Sequence, residues 1–282
     1  MAVNCKERNM LQPKPAPIQK TLFYILKNKY AMRNFAAGFA TSWWSSGGYS
    51  WDVVTQQEIF GGSIPSFISY LPYNVFNIVS VTFIPKFQRF FKNNRTALIT
   101  LRFWDLLCQI GMATLGWFFV DRRLIVCIIY AVFYGINALN NGPANVFEAE
   151  VGREISDYTE YVTGERPDGT FGLLTELITK ITAPLNSMLT IFLFKWSGYD
   201  STITMLPWSQ GSKTVYQRVW FLFTGINIIP TLVHIIPYFF YDLVGEKREN
   251  MYIALNERRA LLAKEQQYAA LEEIISAMET EE

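Results

Sequence analysis

Long apolar segments constrain the fold of this 282-residue chain more than any other feature. Five of them cover residues 63–85, 96–120, 124–151, 170–196 and 217–243. Each is long enough to cross the hydrocarbon core of a bilayer, which takes about 20 residues of helix. A weaker sixth segment, residues 35–60, is interrupted by Gly47-Gly48 and Asp52. The sequence therefore predicts an all-α, polytopic membrane protein with six transmembrane helices.

The composition and the placement of charge support this prediction and indicate an orientation. Only 17% of the residues are charged, whereas an average soluble domain has about 25%. Lysine and arginine are concentrated before residue 35, at residues 86–95, at residues 153–166 and after residue 243. Basic loops stay in the cytoplasm, so both termini are predicted to be cytoplasmic. We expect a cytoplasmic tail at residues 1–34, a transmembrane domain at 35–243 and a cytoplasmic helical tail at 244–282.

Residue types needed for enzymatic chemistry are scarce. The chain has one histidine, His234, and three cysteines without paired spacing, Cys5, Cys108 and Cys127. It contains no GxGxxG phosphate loop, no HExxH helix and no GxSxG elbow. A net charge of +1 gives no indication of a nucleic-acid partner. We therefore predict no enzyme, no cofactor and no metal site, and we expect His234 to pack in the interior.

A charged stretch, residues 157–180, leads into the apolar segment at residues 170–196. It is predicted to begin as a loop, to turn at residues 167–169 and to enter a helix near residue 170. The loop holds the charged residues Asp157, Glu160, Glu165, Arg166 and Asp168. The helix carries Glu176 and Lys180, and Lys180 lies about 15 Å from its start at 1.5 Å per residue. A lysine at that depth costs roughly 2.5–3.5 kcal/mol to insert, so we expect it to face a cavity or a partner.

A polar tract in the apolar segment at residues 124–151 is a candidate cavity wall. Residues 137–145 contain four asparagines, Asn137, Asn140, Asn141 and Asn145. Amide groups are costly to place together against lipid. We predict that they line a cavity, with ordinary hydrogen bonds between helices as the alternative.

The order of residues in the charged stretch resembles one family of transporters. Asp157-Tyr158-x-Glu160-Tyr161 is followed by Thr163-Gly164-x-Arg166 and Gly169, and Lys180 comes fourteen residues after Arg166. This pattern closely resembles the glycoside–pentoside–hexuronide:cation symporters, the melibiose-permease-like members of the major facilitator superfamily. The loop at residues 85–95 and the tail motif Tyr252-x-x-Leu255-x-x-Arg258-Arg259 are also similar. The resemblance covers residues 25–260 and only the second half of these twelve-helix proteins.

This resemblance implies half of a cation-coupled sugar or glycoside symporter in the plasma membrane. Such a half transports by alternating access, together with a second six-helix half or as a homodimer. Its expected partners are membrane lipid and a sugar or glycoside substrate, and its coupling ion is sodium or a proton. The candidates for the substrate and cation site are Lys180, which the resemblance implies, and Glu176, Asn141, Asn145 and Trp51, which follow from the residues themselves. The implied candidates for a cytoplasmic gate are Asp157, Tyr158, Glu160 and Arg166, with a solvated loop as the alternative.

Two of these assignments, Glu176 and Trp51, have a second interpretation. Glu176 departs from the family pattern, in which a small polar residue is more common. One turn before Lys180, it is predicted to pair with the lysine in place of first-half carboxylates, or to form an ion pair that only fixes packing. Trp51 is the best candidate for stacking on a sugar ring, although tryptophans at a membrane interface give the same composition. Arg102 and Asp105 are predicted to form a structural pair.

Two functions from other classes compete with transport by a half-symporter. The chain is either a non-transporting remnant or assembly partner, stable as a membrane bundle without a cavity, or a lipid- or drug-handling transporter with a related fold. An apolar cavity would suit the second of these, and the asparagine tract argues against it.

Overall fold

The computed structural model describes residues 18–45, 51–166 and 168–280, and every regular element in these ranges is a helix. The α-helices are α1 (Ile18–Lys27), α2 (Lys29–Ser45), α3 (Trp51–Val54), α4 (Ser63–Phe90), α5 (Asn94–Phe119), α6 (Arg123–Thr163), α7 (Asp168–Ser197), α8 (Lys213–Trp220), α9 (Ile228–Phe239) and α10 (Glu246–Thr280). Two π-helical segments, Thr55–Ile59 and Phe221–Gly225, follow α3 and α8. The predicted all-α class is confirmed for the described part of the chain.

Within the described ranges, five helices are long and apolar enough to cross a membrane. They are Ser63–Phe90, Asn94–Phe119, Arg123–Thr163, Glu176–Ser197 and Lys213–Phe239. They coincide with the five strong apolar segments of the sequence, which confirms a membrane-embedded, multi-pass protein. The last crossing is one run of α8, the π segment and α9, so the predicted helix ends about where the sequence indicates.

The first predicted crossing, residues 35–60, is not one of these five. α2 covers its first part, and α3 with the π segment Thr55–Ile59 covers its last part. The predicted break at Gly47-Gly48 lies outside the described residues. A sixth crossing therefore stays a prediction.

The membrane helices pack as an open row. α4 lies along α6, and α6 also packs on α5. α9 packs on both α5 and α2, and α7 packs on α2. α4 and α7 form the two ends of the row, and each keeps most of its apolar surface outside the packing.

The same contacts have an internal symmetry. α6 is packed by α4 and α5, α2 is packed by α7 and α9, and α5 and α9 pack on each other. Exchanging α2 with α6, α4 with α7 and α5 with α9 leaves this set of contacts unchanged. α2, α4 and α5 therefore have places in the row equivalent to those of α6, α7 and α9.

Two apolar cores hold opposite ends of the bundle. One contains Leu98 at the start of α5 and Ile155 near the end of α6. The other contains Val126 near the start of α6 and the fully buried Trp220. The indole Nε1 of Trp220 donates a hydrogen bond to the carbonyl oxygen of Met112 at 3.2 Å. Polar side chains lie between these two cores, about halfway along the helices.

One prediction about the charged stretch was wrong: residues 157–163 are helix rather than loop. α6 continues as one helix to Thr163, and Asp157 is only 4% exposed. The helix ends at Gly164, whose φ of 81° gives the left-handed conformation that favours glycine after a helix. Its N–H bonds the carbonyl oxygen of Glu160 at 2.7 Å. Charged residues here follow the apolar part of α6 without ending the helix.

Replacing Gly116 with alanine is expected to destabilise the protein by about 1–3 kcal/mol, the usual cost of overpacking. A Cβ at this position would overlap the indole ring of Trp220. The check is thermal unfolding of the purified protein in detergent, followed by circular dichroism.

Gly152 in α6 is the matched control, because a Cβ there meets nothing within 4 Å. Gly152→Ala is expected to leave stability unchanged or to raise it by up to about 1 kcal/mol through helix propensity. Equal destabilisation by both substitutions would contradict the tight packing of Gly116 on Trp220.

Candidate functional site

Four tyrosines form a cluster between α4 and α6, which we call the tyrosine cluster: Tyr70, Tyr73, Tyr130 and Tyr134. Spacings of three residues in α4 and four in α6 place each pair on one helix face. The rings of Tyr73 and Tyr134 stack with centroids 4.0 Å apart. Tyr70 meets Tyr130 edge to face at 5.0 Å. Three of the four rings are only partly buried, so the cluster borders open space.

Hydrogen bonds extend this cluster at both ends. The hydroxyl of Tyr70 donates to Oδ1 of Asp52 at 2.9 Å. At the other end, Nδ2 of Asn141 donates to the hydroxyl oxygen of Tyr73 at 3.0 Å. The result is a row of aromatic faces and polar groups that runs along α6 from Tyr130 to Asn141, about 16 Å at 1.5 Å per residue.

The asparagines of the tract at residues 137–145 lie on different sides of α6. Asn141 joins the tyrosine cluster, and Asn145 is exposed on the surface of α6. Asn140 faces the opposite way and donates to the carbonyl oxygen of Leu101 in α5 at 2.9 Å. Adjacent helical residues differ in direction by about 100°, so one tract serves two surfaces. The interhelical hydrogen bonds are therefore observed, and the cavity wall stays a prediction.

Trp51 packs in the interior. It is 5% exposed, and its indole stacks on the Phe194 ring of α7 with centroids 4.0 Å apart. The face that was predicted to stack on a sugar is covered by Phe194 in this structure. Its neighbour Asp52 is exposed and contacts Tyr70, so the polar partner in this region is the aspartate.

Lys180 and Glu176 point away from the bundle. The buried residues of α7, which include Thr182, Asn186 and Thr190, form a stripe on its inner side. Lys180 lies about 120° around the helix from the centre of that stripe at 3.6 residues per turn. Both charged side chains are exposed, and no ion pair joins them within the described residues. The predicted Glu176–Lys180 pair is therefore not formed, because neither side chain is held by packing.

The predicted gate residues come together at the end of α6, in what we call the gate network. Asp157 Oδ1 lies 2.9 Å from Arg259 Nη2, and Glu160 Oε2 lies 2.5 Å from the same nitrogen. Arg166 Nη1 is 3.5 Å from Asp157 and 3.9 Å from Glu160. Tyr158 faces α2 instead and packs edge to face on Tyr30 with centroids 4.7 Å apart. The gate network is an ordered set of ion pairs and not a solvated loop.

The tail helix α10 supplies the cations that sequence reasoning had not assigned to the gate network. Arg248, Tyr252 and Arg259 lie on one side of α10 at spacings of four and seven residues. Arg248 Nε is 2.6 Å from Glu154 Oε1, and the hydroxyl of Tyr252 donates to Asp157 at 3.2 Å. Between them Met251 and Leu255 are buried. The Arg258-Arg259 pair of the tail motif was the available signal.

Arg259 and Tyr252, the two residues that α10 directs at Asp157, each keep one protonation state at neutral pH. The hydrogen bond from Arg259 to Glu160 raises the pKa of the guanidinium above its already high ordinary value. Partial burial opposes this shift and is outweighed by it. Burial and the nearby carboxylate of Asp157 raise the pKa of Tyr252 to about 12. Arg259 is therefore charged, and Tyr252 keeps the hydrogen that it donates.

A buried carboxylate at the other end of the bundle was missed by sequence reasoning. Glu58 lies in the π segment after α3 and is fully buried. Its carboxylate accepts hydrogen bonds from Ser209 Oγ at 2.5 Å and from the Tyr216 hydroxyl at 2.9 Å. Glu58 thus fixes the connection between α7 and α8. Its signal in the sequence was an acidic residue that follows Gln56-Gln57 and comes three positions before Gly61-Gly62.

The predicted Arg102–Asp105 pair is confirmed, with Arg102 Nη1 at 2.8 Å from Asp105 Oδ2. His234 is buried, as predicted, but it contacts a carboxylate of α6.

Comparison with known proteins identifies no relative: no family model matches the chain, and no curated protein or solved structure is significantly similar to it.

Replacing Arg259 with glutamine is expected to loosen α10. A hydrogen bond to a charged group contributes about 1.5–3 kcal/mol, and Arg259 makes such bonds to both Asp157 and Glu160. Backbone amide exchange in the first half of α10 is expected to accelerate roughly tenfold or more, measured by hydrogen–deuterium exchange.

Lys264→Gln is the control for the lost charge, because Lys264 lies on the same helix and is exposed. It should leave the exchange of α10 unchanged. Exchange rates that are the same for Arg259→Gln and wild type would show that the ion pairs do not hold α10 in place.

Proposed function

We propose that this chain is one six-helix half of a cation-coupled sugar or glycoside symporter. The observation that carries the proposal is the tyrosine cluster with its hydrogen-bonded ends, Asp52 and Asn141. Sugar sites combine aromatic faces, which cover the apolar side of the ring, with placed polar groups that bind its hydroxyls. Both components occur here on the partly open side of α4 and α6.

The packing of the helices supports a transporter half. Many secondary transporters are built from inverted repeats, with substrate and ion sites near the membrane midplane. The equivalent contacts of α2, α4 and α5 with those of α6, α7 and α9 are what such a repeat of three helices would produce. In this proposal α2 with the π segment after α3 is the sixth crossing. Both termini are on the cytoplasmic side of the plasma membrane.

Lys180 supports a missing partner surface. Charged side chains within membrane helices face a cavity or a partner, because exposure to lipid is costly. Lys180 is exposed on α7, at one end of the row, about 18 Å from the start of the helix. We place the surface of a second six-helix half, or of a second copy, over α4 and α7. Lys180 then faces the cation site, whose ion is sodium or a proton.

In this proposal the gate network closes the cytoplasmic side. Asp157 and Glu160 are the carboxylates that a cation of the other half would bind. In the chain by itself they are held by Arg259 and Arg166. Opening and closing therefore exchange ion pairs with α10 for ion pairs with the second half.

A non-transporting assembly partner is the second candidate function, and the broad exposed apolar faces of α4 and α7 favour it. Such a protein needs a partner surface but no substrate. The absence of any thermal shift across a panel of glycosides would favour this function over transport.

Replacing Lys180 with alanine is expected to reduce cation-driven uptake to background, because the cation site loses the charge that responds to its occupation. The measurement is uptake of a labelled glycoside into proteoliposomes under a sodium or proton gradient. The chain is tested alone and together with a candidate first half.

Lys195→Ala is the matched control, because Lys195 is an exposed lysine near the opposite end of the same helix. Its uptake should equal that of the wild type. Uptake that survives Lys180→Ala unchanged would remove Lys180 from the mechanism.

Replacing Tyr73 with phenylalanine is expected to weaken glycoside binding about two- to tenfold. This range corresponds to the loss of one neutral hydrogen bond, about 0.5–1.5 kcal/mol. The hydroxyl of Tyr73 accepts a hydrogen bond from Asn141, and in this proposal it donates its own hydrogen to the glycoside. The check is equilibrium binding of a labelled glycoside in lipid nanodiscs.

Tyr268→Phe is the control for this substitution, since Tyr268 is exposed on α10. Equal affinity of Tyr73→Phe and wild type would place the sugar site elsewhere.

A further inference from the structure

A buried polar group of residues lies apart from the tyrosine cluster and from Lys180; we call it the histidine cluster. It consists of Arg102 and Asp105 of α5, Asn140 and Glu148 of α6, and His234 of α9. Arg102 binds both carboxylates, Asp105 through Nη1 and Glu148 through Nη2. Asn140 Nδ2 donates to Asp105 Oδ1 at 2.5 Å. Asp105 is 6% exposed and His234 is 5% exposed, so this cluster is inside the bundle.

The imidazole of His234 has an oxygen acceptor at each ring nitrogen. Nδ1 lies 3.1 Å from the carbonyl oxygen of Ala37 in α2 and is hydrogen-bonded to it. Nε2 lies 3.4 Å from Oε1 of Glu148, which is an ion-pair contact without hydrogen-bond geometry. A carbonyl oxygen has no hydrogen to donate, so Nδ1 carries the hydrogen of its bond. In a neutral imidazole, Nε2 would then present a lone pair to a carboxylate oxygen. That contact is attractive only when Nε2 is protonated.

The charge of the histidine cluster leads to the same proton count. Arg102 contributes one positive charge, and Asp105 and Glu148 contribute one negative charge each. No other charged side chain of the described residues contacts these four groups, and Tyr238, whose ring is 5.4 Å from the imidazole, is uncharged. A neutral His234 therefore leaves a net charge of −1 inside the bundle. One additional proton brings the charge to zero, which removes the cost of burying an uncompensated ion.

We infer that the histidine cluster is a proton-binding site, in which Nε2 of His234 takes up one proton from water and the carboxylate of Glu148 balances its charge. The proton adds to the lone pair of Nε2, and the O–H bond of the hydronium ion that delivers it breaks. The Glu148 side chain is 31% exposed and that of His234 is 6% exposed, so Glu148 provides the route for the proton.

The bound proton acts on the packing of the central helices. It joins α9 to α6, while Nδ1 of His234 joins α9 to α2 and Arg102 joins α5 to α6. Loss of the proton leaves two acceptors facing each other and weakens the contact between α9 and α6. This site is independent of the proposed sugar transport, because none of its residues belongs to the tyrosine cluster or the gate network.

His234 is the only histidine of the chain, so its ring gives one pair of nitrogen-15 signals. The experiment uses the full chain, labelled with nitrogen-15 histidine, in lipid nanodiscs at neutral pH. Both ring nitrogens are expected to show the chemical shifts of protonated nitrogen. In Glu148→Gln the counter-charge is gone, and the signal of Nε2 is expected to move to the range of unprotonated nitrogen.

Glu150→Gln is the matched control. Glu150 lies on the same helix but contacts Asn94 and Arg153, so its spectrum should equal that of the wild type. An unprotonated Nε2 in the wild-type protein overturns the inference. This test is made on the wild-type protein and does not depend on whether a variant folds. A protonated Nε2 that persists in Glu148→Gln also overturns it, because the proton would then not depend on the carboxylate.

Discussion

α6 stays helical from Arg123 to Thr163, and the three polar groupings of the molecule depend on that continuity. Pro143 lies inside this helix, where a proline removes one backbone hydrogen bond and costs about 3 kcal/mol or more. The turn around it is held from the side: Pro143 is buried, and the N–H of Gly142 donates to Ser80 Oγ of α4 at 3.1 Å. Because the helix does not break, the tyrosine cluster, the histidine cluster and the gate network hold fixed positions along one axis.

The buried ionisable groups find their partners within the chain, and the exposed ones on α7 do not. Glu58 is surrounded by hydroxyl donors, Arg102 by carboxylates and Asp157 by arginines. Each set satisfies the charge that burial would otherwise penalise. Glu176 and Lys180 lie on a membrane-crossing helix without such a set in the described residues. In the described residues, the buried charges inside the row of helices are thus paired, whereas Glu176 and Lys180 at one end of the row are not.

The sequence predicts what depends on neighbours along the chain. The five crossings follow from runs of apolar residues, and the Arg102–Asp105 pair follows from helical spacing. The charged loop was wrong because acidic and basic residues are equally suited to a helix that leaves the membrane. Glu58 and His234 were not assigned their contacts, because each binds groups 86 or more positions away, which local patterns do not encode. Two asparagines of the tract form hydrogen bonds between helices, which is the alternative that the sequence left open beside a cavity wall.

Arg259 belongs to the same chain as the carboxylates that it holds, and this has a consequence for any second half. Only residues 240–245 separate α9 from α10, so α10 stays close to α6 whatever the protein concentration. A tethered group acts at an effective concentration in the millimolar range for short flexible links. A cation on another protein surface therefore has to displace Arg259 from Asp157 and Glu160. The length of residues 240–245 sets the effective concentration of Arg259, and the competing cation must bind strongly enough to exceed it.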